Sequence, residues 1–223
     1  MSSALFATSL AFVATVAAAP DRLPGAAAAS TDAAFEAYRT GHVAAAQRRF
    51  LRAARGGDPR AAFNAALLRL ENETSTPPLG EALALLRRSA DAGFAESQRL
   101  LATLYETGRY LPAVPALAAY WYERAARQGD LMSQLTLATN FFVGSAAVPA
   151  DPSQAAYWYR QAAEAGDPAA QYILASMLER GFGVAPDVQQ ALDWYSAAGR
   201  QGDVVAALKA KELASWLARE QSR

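Results

Sequence analysis

The sequence contains no cysteine, so it can hold no disulfide, no thiolate metal site and no thiol nucleophile. Histidine is almost as scarce: His42 is the only one. A single imidazole cannot furnish a histidine cluster for a metal, and beside Gly41 it reads as a solvent-facing turn residue. Lysine is limited to Lys209 and Lys211, a bias that carries no functional weight. Net charge is missing as well. Lys and Arg total 21, Asp and Glu total 21, and the formal charge is zero, so no long-range field draws in DNA, RNA or an anionic membrane. No His-Glu-x-x-His, Gly-x-Ser-x-Gly, Ser-x-x-Lys or phosphate-loop pattern occurs. Gly181-Phe182-Gly183 is not a nucleotide fingerprint, since it follows a helix and lacks the third glycine.

What the chain does have is apolar residues, 52% of 223, enough for a sizeable core. The uncharged run Leu5 to Ala19 ends in Ala17-Ala18-Ala19, the small-x-small pattern of a signal-peptidase site. It is short for a transmembrane helix, which needs about 20 apolar residues. The expected organisation is a signal peptide over 1–19, a linker over 20–30 and one helical repeat domain over 31–223. Secretion or a periplasmic location follows, with the mature chain starting near residues 19 to 30. Retention of the uncleaved segment as a weak membrane anchor is the alternative, since no Lys or Arg precedes the run and Pro20 follows Ala19.

The remainder is periodic. Gly57, Gly93, Gly129, Gly166 and Gly202 head equivalent segments at spacings of 36, 36, 37 and 36 residues. Eleven residues before each glycine stands alanine (Ala46, Ala82, Ala118, Ala155, Ala191). Seven before it stand Phe50, Leu86, Tyr122, Tyr159 and Tyr195, and nine after it stand Ala66, Ala102, Ala138 and Ala175. Steps of four and three from −11 through −7 to −4 trace one helix face. Small residues there admit a close neighbour, and the large residue fills the space beyond. Glycine can take the left-handed conformation that closes a helix, and aspartate can cap the next one, as at Gly57-Asp58 and Gly166-Asp167. Each unit is therefore a helix, a two-residue corner and a second helix. The spacing predicts helices near 32–39, 43–55, 59–71, 80–92, 95–107, 115–128, 131–143, 152–165, 168–180, 188–201 and 204–219, with no strand.

The set Ala155-Ala156-Tyr157-Trp158-Tyr159, Gly166-Asp167, Ala170-Gln171, Leu174-Ala175, Gly181, Gly183, Val184 and Asp187 resembles the Sel-1-like repeat, a relative of the tetratricopeptide repeat. The resemblance covers roughly residues 43 to 205. It implies an all-α fold, a right-handed superhelical solenoid of helix-turn-helix repeats. Three units depart from the pattern. Tyr38, Gly41, Ala46, Phe50 and Ala53 resemble a plain tetratricopeptide unit. Phe94 replaces a capping aspartate and Pro112 and Pro115 follow Gly108, which marks an irregular junction. Lys211 stands where the core alanine should be, as in a solvent-facing terminal cap.

The resemblance also implies protein–protein contact, while the missing motifs, cysteines and histidines point to no catalysis, cofactor or metal. Asp58, Asp130, Asp167 and Asp203 lie one repeat apart, which suits caps better than a catalytic cluster, and Trp121, Trp158 and Trp194 recur beside core positions, which suits packing better than ligand platforms. In tetratricopeptide-like arrays the first helix of each pair lines the concave side, here the helix after each Gly-Asp corner. With the core alanine at +9, positions +6, +10 and +13 face a groove: Phe63, Leu67 and Leu70; Arg99, Thr103 and Glu106; Leu135, Thr139 and Phe142; Tyr172, Ser176 and Glu179. A register shifted by one would make Phe63, Leu135 and Phe142 core instead. The expected function is an adaptor, scaffold or regulator that binds a partner protein segment in this groove. The alternative is an envelope component binding peptidoglycan or polysaccharide-export machinery, which would show exposed aromatic platforms with amides nearby.

Overall fold

The computed structural model describes residues 25–71, 79–144 and 148–221. The Leu5–Ala19 run and the start of the expected linker lie outside them. Among the described residues every regular element is an α-helix and no strand occurs. In chain order they are α1 (Gly25–Arg39), α2 (Val43–Arg55), α3 (Pro59–Glu71), α4 (Leu79–Asp91), α5 (Ala95–Thr107), α6 (Pro115–Ala126), α7 (Leu131–Val143), α8 (Pro152–Glu164), α9 (Pro168–Arg180), α10 (Val188–Arg200) and α11 (Val204–Gln221). Boundaries fall within two residues of the glycine-based reading except at the N-terminal end. There α1 starts at Gly25 and not near residue 32, because Ala26 to Ala29, read as linker, are strong helix formers.

The five corners are built alike. Gly57, Gly93, Gly129, Gly166 and Gly202 all have φ between 89° and 101°. At Gly166 the amide reaches back to Ala163 O (3.0 Å) and the next amide, of Asp167, to Ala162 O (3.1 Å). This pair of bonds ends the helix with its last carbonyls satisfied, and it needs the left-handed residue that glycine supplies without a Cβ clash. The aspartates then open the next helix: Asp58 accepts from the amides of Arg60 and Ala61, Asp130 from Ser133, Asp167 from Ala170 and Asp203 from Ala206.

The chain packs as two compact units, the first ending at Gln98 and the second beginning at Arg99. The division falls just after Phe94, the corner that lacks an aspartate, and before the loop in which Tyr110 holds φ = 66°, a strained value for a non-glycine residue. In the first unit Ala34, Ala46, Phe50, Ala54, Ala61, Ala65 and Leu68 form a continuous core, with Phe35 edge-on to Phe50 at 5.1 Å. In the second unit a cluster of Ala175, Tyr195, Ala198, Ala206 and Ala210 closes the C-terminal end. Every alanine at −11 and +9 and every large residue at −7 is buried.

That burial supports a direct test. Ala155 and Ala118, 0% and 4% exposed, occupy the −11 position at which the repeat of small residues predicts close helix contact. Ala155→Leu and Ala118→Leu are each expected to cost about 1–3 kcal/mol through overpacking. Unchanged midpoints in urea unfolding would show that this face is not the tight seam.

Candidate functional site

The aspartates one repeat apart are caps, not an acid cluster, as their bonds to helix amides show. Asp151 and Asp187 cap α8 and α10 in the same way. The Ser153 hydroxyl and the Gln154 amide hold the Asp151 carboxyl below the usual carboxylate range, and the Gln190 amide does the same for Asp187. Among the described residues no group of three or more His, Asp or Glu is spaced to hold a metal ion. Trp121 and Trp158 are buried, Trp194 is half-buried, and His42 is exposed in its turn with Nδ1 3.0 Å from the Thr40 hydroxyl.

Two sets of contacts join one repeat to the next, and both involve expected groove positions. The first links +6 to the residue after the next corner glycine. Phe63 meets Phe94 with ring centroids 5.4 Å apart, and Arg99 pairs with Asp130 at 3.2 Å. Phe63 is 0% exposed, so this expected groove residue is a core residue. The physical reason is the missing cap: where Phe94 stands in place of aspartate, an aromatic pair replaces the ion pair.

The second set links +10 and +13 to the tyrosine at −7 of the following unit. The Tyr122 hydroxyl donates to Glu106 (2.8 Å) and lies 3.1 Å from the Thr103 hydroxyl. Tyr195 donates to Glu179 at 2.9 Å, beside Ser176. Tyr159 lies 3.3 Å from the Thr139 hydroxyl, and Phe142 takes the glutamate's place, meeting the Tyr159 ring edge-on at 6.2 Å. In the first unit the same places hold Leu67, Leu70 and Leu86. The polar stripe read as groove therefore also serves as a seam between repeats.

Burial pushes the Tyr122 phenol up to about 12; the Thr103 hydroxyl opposes this, and the Glu106 carboxylate adds to it. Tyr195 is raised further, again by burial first and then by Glu179. The folded value lies above the unfolded one near 10, so the seam's contribution is complete below pH ~10 and is lost as pH rises through ~12. Melting temperatures measured from pH ~9 to ~11.5 should fall, and Tyr122→Phe should flatten that fall at a cost of up to about 1.5–3 kcal/mol at neutral pH, the worth of a hydrogen bond to a charged group. An identical alkaline slope in the variant would mean that other groups cause it.

A third feature was missed in the sequence. The side-chain amides of Gln98, Gln134 and Gln171, each five residues after a corner glycine, donate to the carbonyls of Ala90, Ala126 and Ala163 at 2.9–3.1 Å. Where the first repeat has Ala62 at this position, the Arg88 guanidinium reaches the equivalent carbonyl, of Ala54. The threefold recurrence of glutamine in register was the available signal.

Leu67 and Leu70 are half-buried in the first unit, and the other expected groove residues lie in the second. Glu106, Thr139 and Phe142 are exposed, while Arg99, Thr103, Leu135, Tyr172, Ser176 and Glu179 are half-buried. Three of them converge: Phe142, Tyr172 and Ser176 line a cavity of about 410 Å³ together with Ile173, Met177, Arg180, Gly181 and Phe182. Its walls are apolar apart from two hydroxyls and one guanidinium. No carboxylate and no side-chain amide lines it among the described residues.

Stacked helical hairpins joined by equivalent bonds from one repeat to the next define a helical repeat protein. A family model of the Sel1 repeat matches residues 59–94, 95–130, 132–167 and 168–203, more than half of the chain, and the protein belongs to the Sel1 repeat family. Solved relatives share the fold. A protective antigen of uropathogenic Escherichia coli with an SLR fold is similar at a TM-score of 0.71 and 27% identity over 83% of this chain. A Sel1 repeat protein from Oxalobacter formigenes is similar at a TM-score of 0.66 and 30% identity over 75% of this chain. Chitin synthase regulatory factor 3 of Schizosaccharomyces pombe is 36% identical over 120 residues, 53% of this chain. The chain spans 40% and 49% of the two solved chains and 13% of the regulatory factor. Sel1 repeat proteins are in general protein-interaction modules and typically non-catalytic.

Proposed function

We propose that this protein is a non-catalytic adaptor or regulator that holds a segment of a partner protein along the α5, α7 and α9 faces of its second unit. The observation that carries this reading is the cavity at Phe142, Tyr172 and Ser176, where expected groove positions on successive repeats leave apolar surface open beside a cation. Such surfaces suit peptide segments, because a few buried anchors dominate binding energy while rim charges set register. The lack of side-chain amides on its walls favours a peptide over a glycan, whose hydroxyls need such partners. The regulatory role named for the fission-yeast relative is compatible with binding without catalysis. Release to the periplasm or outside the cell, by cleavage after the Leu5–Ala19 run, belongs to the same proposal. An intact Met1 on cytosolic material, read by mass spectrometry, would exclude it.

The test of binding is capture. Immobilised full chain should retain a defined protein from a native envelope extract, and Thr139→Arg, which places a bulky charge on an exposed position of the α7 face, should abolish retention. Tyr159→Phe, which loses the same seam hydrogen bond without adding a charge, is the stability control and should still retain the partner. Equal retention by Thr139→Arg would place the partner elsewhere on the molecule.

A further inference from the structure

The cavity on α9 has a chemical character that narrows what it can hold. Phe142 and Phe182 meet edge-on at 5.5 Å, and each remains 42% exposed, so two ring surfaces face water in one place. Ile173 and the thioether of Met177 complete apolar walls that adapt well to a flat ring. Arg180, the last residue of α9, makes no hydrogen bond or ion pair among the described residues. The adjacent carboxylate, Glu179, is already engaged by Tyr195. The cavity therefore carries one uncompensated positive charge beside a large apolar surface.

We infer that this cavity receives an aromatic side chain of a partner polypeptide whose neighbouring residue is acidic, the ring packing on the exposed surfaces of Phe142 and Phe182 above Ile173 and Met177 and the carboxylate resting on Arg180. The inference rests on the protein-binding reading above and adds the sequence chemistry of the partner. Filling the cavity with a ring alone would strip water from one side of the guanidinium without replacing its hydrogen bonds, which is unfavourable. A carboxylate on the next residue restores them, with two N–H donors available in a planar fork. An amidated or basic neighbour leaves the charge uncompensated or repelled. The cavity thus selects against basic segments as well as for acidic ones.

The probe is an unlabelled dodecapeptide of glycine and serine carrying one Phe-Glu pair, with an acetylated N-terminus and an amidated C-terminus, so that the glutamate is its one carboxylate. Isothermal titration calorimetry with the full chain should show saturable binding that weakens with added salt. Replacing Glu by Gln in the peptide, or Arg180→Ala in the protein, should each weaken binding about threefold to tenfold, and the two changes together should cost little more than either alone. Replacing the peptide's Phe by Ala, or Phe182→Ala in the protein, should remove saturable binding. Arg180 and Phe182 are exposed, so both variants should keep the parent melting temperature.

Equal affinity for the Gln peptide, additive losses in the double change, or tighter binding of octanoate than of the peptide would each overturn the assignment. The capture experiment separates this outcome from failure of the broader reading. A partner still retained by Arg180→Ala and Phe182→Ala leaves the groove standing and removes this cavity as its anchor. No partner retained by the parent protein withdraws the groove whatever the peptide does.

Discussion

Tyr195→Ala is expected to cost about 3–5 kcal/mol, the range for truncating a large buried aromatic residue. The Tyr195 side chain is almost wholly buried, packs edge-on against Tyr172 at 5.4 Å and belongs to the cluster that joins α9, α10 and α11. Its loss opens a hole where three helices meet and frees the Glu179 carboxylate from its donor. Tyr195→Phe keeps the ring and removes only the hydroxyl, so it should cost no more than about 1.5–3 kcal/mol, the worth of a hydrogen bond to a charged group. Urea unfolding of both variants separates the packing contribution from the polar one. If Tyr195→Phe is as damaging as Tyr195→Ala, the hydroxyl contact and not the ring holds the C-terminal end together.

Gly183→Ala should be nearly as severe, at about 2–4 kcal/mol, by a different route. Gly183 has φ = 72°, and a Cβ built on it would lie 2.1 Å from the Pro152 carbonyl oxygen and 2.3 Å from its carbon. These are backbone atoms at the first turn of α8 and cannot rotate aside, so the loop or the helix start must shift. The left-handed conformation adds about 1–2 kcal/mol to the overpacking. Gly181→Ala is the control: its φ is 68°, but the nearest atom to a new Cβ is Pro186 Cδ at 3.2 Å. It should show the conformational cost with little of the steric one, and equal losses in the two variants would mean that the approach to Pro152 is not limiting.

The repeat and its boundaries were legible because the corners are set locally. A glycine that must adopt positive φ and an aspartate that must cap leave their identities in the chain, at Gly129-Asp130 as at Gly166-Asp167. The buried alanines were legible for a related reason, since a close helix contact admits little else. The groove was only half legible. Period and face placed Thr139, Phe142 and Tyr172 on the helices that line the cavity, but position along a helix does not say how far a neighbour's side chain reaches. Phe63 looked equivalent to Arg99 and Tyr172 until Phe94 folded onto it. The tyrosines at −7 looked like core fillers, while their hydroxyls extend to Thr103, Glu106 and Glu179. Arg180 and Phe182 stood out in no pattern, because they belong to a helix end and a loop, where the period stops and three-dimensional proximity takes over.

The contacts between repeats also limit how such a chain can change its length by duplication or loss of a unit. Tyr122 and Tyr195 require a glutamate and a hydroxyl on the unit before them, whereas Leu86 follows Leu67 and Leu70. A recombination that joined the leucine-bearing helix α3 directly to α8 would bury the Tyr159 hydroxyl against aliphatic groups, leaving it without a partner. Copying a unit next to itself is tolerated only if its leading and trailing halves match. Residues 130–166 fulfil that condition, since a copy keeps Thr139 and Phe142 beside its own Tyr159 and brings Asp130 to cap after Gly166. The order of units along this chain is therefore heritable information in its own right: each hairpin carries half of an address that only the correct neighbour completes.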